Sequence, residues 1–387
     1  MNALSRARIL LGIAIVGPAL AVGGVWPWTV PVFAVVVAAA LLGGRVSKRR
    51  WRVPAGLGLG LLAVGATAVQ ALPGPGLRET LAPTLHAWVQ QAQHGLDASG
   101  WPSISVTPAD TALEAVRLLA LVGLALACAQ RSWKFTAGLV AAAGTAVAVV
   151  GLVQQGLGLD HIYGLYEAQH TAPGHAPALL ATFINPNHQS GLLLLGIFAT
   201  AGLGVALRHE DGPLEPRLVL GIAGVLQLTA LVLSMSRAAL LSAAAAGVVA
   251  AFVGRDPDPR KWPNRWMPRA AWLATLAGLV LGVGTLGAFS ELSTLFNGSA
   301  LDHATLSRLQ LTASAPGLLD LSPVVGIGRG AFGDLYPAFD PQPTHVWFSH
   351  LECAPLTLWV EWGPLVGGAL LVGLPLWWVH AMRQCGT

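Results

Sequence analysis

Apolar runs of about twenty residues alternate with short polar connections along most of this chain, and each run is long enough to cross a bilayer core. Ten are predicted, at 8–25, 28–44, 54–72, 112–130, 136–154, 189–207, 217–235, 237–254, 270–289 and 354–380. The last is long enough to be tilted or to begin as a surface segment, and Pro186 marks an irregular start to the sixth. The predicted fold is all-α: a polytopic membrane helix bundle of about ten transmembrane helices, one integral membrane domain over 1–387. A large folded outer loop over 290–353 precedes the last span, with helix expected around Thr305–Leu319. In the connection 73–111, Leu81, Leu85, Trp88 and Val89 share one helical face and predict a short interfacial helix.

Basic residues set the orientation. With the N-terminus inside, the cytoplasmic segments hold 17 of the 22 Lys and Arg, including Lys48, Arg49 and Arg50 after the second span and Arg255, Arg260 and Lys261 after the eighth. Only Arg78, Arg117, Arg237, Arg308 and Arg329 fall on the outer side or its edge. The positive-inside rule produces this asymmetry, and the opposite orientation would invert it.

Composition agrees with the pattern. The chain is 54% hydrophobic and 10% charged, against about 25% charged in a soluble domain, and its mean hydropathy is +0.62. Most of its 46 glycines lie within apolar runs, where small residues let helices approach closely. The first apolar run reads as a retained helix, since no small-residue cleavage site follows it. Cys128, Cys353 and Cys385 show neither a metal-ligand spacing nor a disulfide framework.

Arg237, in LVLSMSRAALLS, stands between two apolar runs with no acidic residue within fifteen positions. A cation at the edge of the bilayer core is costly and marks function, unless it merely snorkels to lipid phosphates. Arg308 and Arg329 lie on the same side, and arginine suits phosphate because its planar fork donates paired hydrogen bonds. Near them are His345, His350, Glu352 and Glu361, and a histidine near neutral pKa is a natural general base. His161, His170, His175 and His188 fit no compact metal pattern. The glycines of GIGRG (326–330) read as a tight turn whose amides hold an anion. Two classes remain open on this chemistry: a glycosyl or phosphoryl transferase with a lipid-linked donor, and a transporter of an anionic cargo. The spans show no pair of broken helices in matching halves, which weighs against the transporter.

Four stretches, in order, resemble the O-antigen ligase and polymerase family of bacterial polytopic membrane proteins: WPSISVTPADTALEAVRLL at 101–119, ATFINPNHQSGLLLLG at 181–196, LSMSRAALLS at 233–242, and SRLQLTASAPGLLDLSPVVGIGRGAFGDLYP at 307–337. The resemblance covers most of the chain. It implies transfer of a glycan from a polyprenyl-diphosphate carrier to a hydroxyl acceptor, on the outer face of the inner membrane. Lipid A-core is the leading acceptor; O-antigen or exopolysaccharide polymerisation and protein O-glycosylation are the alternatives. It further implies a lipid bilayer as surroundings and no cofactor, metal, nucleotide or nucleic-acid partner.

By match to the family, Arg237 and Arg308 bind the donor diphosphate, with Arg329, Asn187 and His188 also at the substrate, and His350 and Glu352 are catalytic. His350 would take the acceptor's proton, which makes the transfer a single inverting displacement, with His345 and Glu352 as alternative bases. The stretch HLECAPLTLWVEWGPLVGG (350–368) fits the family's last motif at His350, Glu352, Leu356, Glu361 and Gly363, but departs from it at Cys353 and Thr357. Pro355 is expected to interrupt the start of the helix. Because the family continues with further helices, the chain reads as a short or incomplete member.

Overall fold

The computed structural model describes residues 3–44, 51–74, 76–93, 102–166, 179, 181–210, 213–234, 236, 239–244, 246–247, 311–312, 315–340, 348, 351 and 353–385. Among these the secondary structure is helical and no strand occurs; one isolated bridge joins Ile162 and Tyr166. The long helices are α1 (Ala3–Leu20), α2 (Thr29–Gly44), α3 (Leu57–Ala71), α6 (Pro108–Ala129), α7 (Trp133–Gly156), α8 (Pro186–His209), α9 (Leu214–Leu233) and α12 (Ala354–Cys385). Short helices α4 (Leu77–Leu81), α5 (Pro83–Gln93), α10 (Ala315–Leu321) and α11 (Phe332–Leu335) lie in the connections. The eight long helices overlie eight of the predicted apolar segments. Among the described residues five helices are long and apolar enough to cross a membrane, α6, α7, α8, α9 and α12, and α2 and α3 are shorter apolar helices. The predicted segment 270–289 and most of 237–254 fall outside the described residues.

The chain forms two compact units. One comprises Met1–Leu11, Trp26–Gln130 and Leu301–Thr387. Here α6 packs on α2 and α3, and α3 on α12. A second core lies under the connections, where Leu85 and Val89 of α5 pack with Leu318, Phe332, Leu335 and Leu351. Of the predicted apolar face, Leu85, Trp88 and Val89 lie on α5 while Leu81 ends α4, and the α5 face is covered by protein: Leu85 is fully buried against the 311–351 region. Burying a leucine side chain contributes about 1.5–3 kcal/mol, so this contact fixes the connection.

The other unit comprises Gly12–Val25 and Arg131–Ala300, and its described centre is the packing of α7, α8 and α9 on one another. Gly144 and Gly196 are why these helices come so close: a Cβ added to Gly144 would stand 3.0 Å from the Gly196 Cα. Gln227 of α9 crosses that contact, its amide donating to Ala141 O (2.9 Å) and Thr145 Oγ1 (2.7 Å). Fully buried and hydrogen-bonded, it meets the rule that polar groups in apolar surroundings must find partners.

Candidate functional site

In the first unit the site begins with a break in α12. Pro364 has no N–H to offer the preceding turn, and Gly363 adopts φ 72°, ψ 172°, outside the helical region. Residues 354–362 and 364–385 are therefore two helical pieces. A broken helix leaves carbonyls without partners, and the GIGRG turn supplies them: Ile327 N–H donates to Val360 O (3.0 Å) and Gly328 N–H to Glu361 O (3.2 Å). Gln70, in the last turn of α3, donates from Nε2 to both Val325 O and Glu361 O at 2.7 Å. The fit admits only glycine at the contact. Gly326 (φ 71°) and Gly363 face each other, and a Cβ on Gly326 would lie 2.6 Å from the Gly363 nitrogen.

The turn delivers Arg329 into this break. Its backbone N–H donates to Gln70 Oε1 (3.2 Å), and its guanidinium pairs with Glu361 and, at 3.5 Å, with Glu114 of α6. The Arg329 Cζ also lies 5.1 Å from the Trp362 ring centroid, and Trp362 Nε1 donates to the buried Thr67 Oγ1 at 2.8 Å. Burial disfavours the Arg329 charge, but the Coulombic pull and hydrogen bond of Glu361, with Glu114 adding, outweigh it and raise the pKa. One amide of GIGRG meets an anion, and it is internal: Gly330 N–H donates to the Glu361 carboxylate at 3.2 Å, while the others donate to neutral oxygens.

The start of α6 closes the other side of the turn. Ser105 Oγ and Thr111 Oγ1 lie 2.7 Å apart, and Thr111 Oγ1 donates to Arg329 O at 2.8 Å. Beside them Arg78 donates from Nε to Ser103 O (2.6 Å), and burial lowers its pKa. The 101–119 and 307–337 stretches and the Glu361–Gly363 end of the 350–368 stretch, far apart in sequence, thus meet around one buried Arg–Glu pair. Sequence reasoning missed Gln70 and Glu114. Gln70 carried a signal, as a polar residue inside an apolar run.

In the second unit the 181–196 and 233–242 stretches meet. Asn185 caps α8, accepting from Asn187 N–H at 2.8 Å, and Pro186 occupies the first turn, where its missing N–H costs nothing. Ser236 Oγ donates to Asn187 Oδ1 (2.7 Å), and Ser190 Oγ lies 2.7 Å from Ser234 Oγ. Asn187 therefore bonds to the residue that precedes Arg237 in the chain. His188 is exposed in the first turn of α8.

Of the predicted site residues, Arg329, Asn187 and His188 are described, while Arg237, Arg308, His345, His350 and Glu352 lie outside the described residues. Arg329 faces two carboxylates within the protein. The expected interruption at Pro355 is corrected: α12 begins at Ala354, so Pro355 sits in its first turn, where no helical N–H is needed, and the interruption falls at Gly363. Of the outer-loop histidines, His161 pairs with Asp160 and His188 stands in α8; among the described residues no cluster of His, Cys, Asp or Glu could hold a metal ion.

Residues 222–372 match the family model described as O-antigen ligase. The match supports an O-antigen ligase family assignment. It takes in Arg237, Arg308, the GIGRG turn, His350 and the Glu361–Gly363 break, and leaves Gln70, Glu114 and Asn187 outside. No curated protein and no solved structure matches the chain. The O-antigen ligase family is glycosyltransferase-like and implies polysaccharide or lipid-linked substrates, and the apolar helices agree with a multi-pass membrane protein.

Proposed function

We propose that the protein transfers a glycan from a polyprenyl-diphosphate carrier to a hydroxyl acceptor at the outer face of the bacterial inner membrane, with O-antigen ligation to lipid A-core as the reaction. The observation that carries the reading is the family match over 222–372, which contains the arginines and the histidine the chemistry requires. Arg237 and Arg308 offset the charge growing on the departing diphosphate, an electrostatic stabilisation strongest in a partly dry site. His350, oriented by Glu352, accepts the proton of the incoming hydroxyl as its oxygen attacks the anomeric carbon and the carbon–phosphate oxygen bond breaks. One displacement inverts that centre, and no metal takes part.

Two features support this division of roles. The Arg329 charge is matched by Glu361 and Glu114, which leaves Arg237 and Arg308 as the cations for the donor, with Arg329 holding the broken helix that follows His350. Asn187, beside His188, is bonded to Ser236 and so bears on the segment that carries Arg237. The distribution of basic residues supports a cytoplasmic N-terminus and a periplasmic site.

The test is a surface-glycan profile of cells lacking the protein, rescued by wild type, Arg237→Ala or His350→Ala. Ligation predicts loss of long chains from lipid A-core, accumulation on the polyprenyl carrier, and rescue by wild type alone. Lipid A-core capped by a single repeat unit would mean polymerisation instead. No change in any surface glycan would refute the transferase reading.

A further inference from the structure

Gln70 belongs to none of the family-like stretches and lies outside the matched region, yet its side chain makes three hydrogen bonds to chain segments 255–291 residues away. Its amide donates to Val325 O and Glu361 O, and its carbonyl accepts from Arg329 N–H. All of its hydrogen-bonding capacity toward this region is spent on two objects, the GIGRG turn and the last carbonyls before the α12 break. The side chain is buried, with 4% exposed, so water cannot replace these partners.

The helical piece 354–362 is anchored beside Gln70 by Arg329 and the Gly330 N–H on the Glu361 carboxylate and by Thr67, which accepts from Trp362 Nε1. Leu356 and Val360 hold it in the core beneath the connections, with Leu351 just before it, and Gly363 leaves the helical region between it and α12's second piece. The carbonyls of Val360 and Glu361 tie that inner end to the GIGRG turn, and α3 reaches it through Gln70 at Glu361 O and through Thr67 at Trp362 Nε1. The piece starts four residues after His350. A shift of its axis therefore moves Ala354, the residue from which the chain runs back to the proposed base.

We infer that Gln70 is a positioning residue for the transfer reaction: from α3 it clamps the GIGRG turn onto the broken helix and so fixes the helical piece 354–362, which follows the proposed base in the chain. This rests on the proposed function. It asks Gln70 to touch neither donor nor acceptor, so its loss acts on the catalytic step while binding of the donor is kept. Misplacing a catalytic group by about 1 Å costs on the order of a hundredfold in rate.

The experiment uses the full-length chain, purified in detergent, as wild type and as Gln70→Met, which keeps the length of the side chain and removes its hydrogen bonds. Hydrogen exchange read by mass spectrometry and steady-state transfer are measured on the same samples. The clamp predicts exchange about tenfold faster in 326–330 and 354–363, unchanged exchange in α7–α9, a kcat lower by tenfold or more, and an unchanged KM for the donor.

Should Gln70→Met fail to fold, Gln70→Glu serves. Its protonated carboxyl donates one of the lost bonds and its ionised form donates none, so its rate relative to wild type should rise as pH is lowered. A pH-independent ratio would overturn the clamp, as would unchanged local exchange in Gln70→Met. Faster local exchange with an unchanged kcat would overturn the positioning role. Absence of transfer by wild type would instead overturn the proposed function, and the exchange data would still judge the clamp.

Discussion

Removing one member of the Arg329–Glu361 pair should cost more stability when Glu361 is the one left behind. Glu361 has 1% of its side chain exposed, against 27% for Arg329. With Arg329→Met the Glu361 carboxylate keeps the Gly330 N–H at 3.2 Å but loses its cationic partner, while Glu114 keeps Arg117. Breaking a buried ion pair in this way costs about 3–5 kcal/mol. With Glu361→Gln the arginine keeps Glu114 at 3.5 Å, the Trp362 face and some water, and the glutamine carbonyl still accepts from Gly330, so the loss should be about 1–2 kcal/mol. The double variant leaves no unpaired carboxylate at 361 and should cost less than the two single losses added together. Reversible unfolding in mixed micelles, titrated with a denaturing detergent, measures all four proteins. Equal losses for the two single variants, or strict additivity in the double, would refute the claim that burial of Glu361 decides the energetics here.

Two further outcomes follow from the same region. Gly363→Ala places a Cβ at positive φ and 2.8 Å from the Gly326 nitrogen, and should lower stability by about 3 kcal/mol or more, whereas Gly368→Ala, with open space around it, should be neutral or gain up to about 1 kcal/mol; the same unfolding titration compares them. Burial and then the Asp110 charge raise the Asp334 pKa, so its folded form holds a proton to higher pH than the unfolded chain. Its contribution is full below the unfolded value and lost as pH rises through the folded one, so Asp334→Asn should be more stable than wild type at pH 7 and equal to it in acid.

Much of the scaffold was legible because bilayer-length apolar runs are a strong signal: the eight long helices fall where hydrophobicity placed them. The helix of 83–93 was legible from its apolar face, but what covers that face was not, since periodicity cannot tell lipid from a distant protein segment. The break in α12 was written as Gly363–Pro364, yet within so apolar a run it read as one long span. Arg329 looked like a cation awaiting a phosphate because its partners, Glu114 and Glu361, are 215 and 32 residues away in the chain, and no local pattern reports a pair of that kind. Gln70 was hidden for a related reason. An uncharged residue in an apolar run attracts less notice than an arginine, although it too must find partners in the membrane.

The most direct test of the central claim is transfer by purified protein in proteoliposomes holding a polyprenyl-diphosphate-linked glycan and lipid A-core. Formation of glycosylated lipid A-core with an inverted anomeric centre, lost in an Arg237→Ala, Arg308→Ala double variant that still folds, is the predicted result. Normal turnover by that double variant, or retention of the anomeric configuration, would contradict the account.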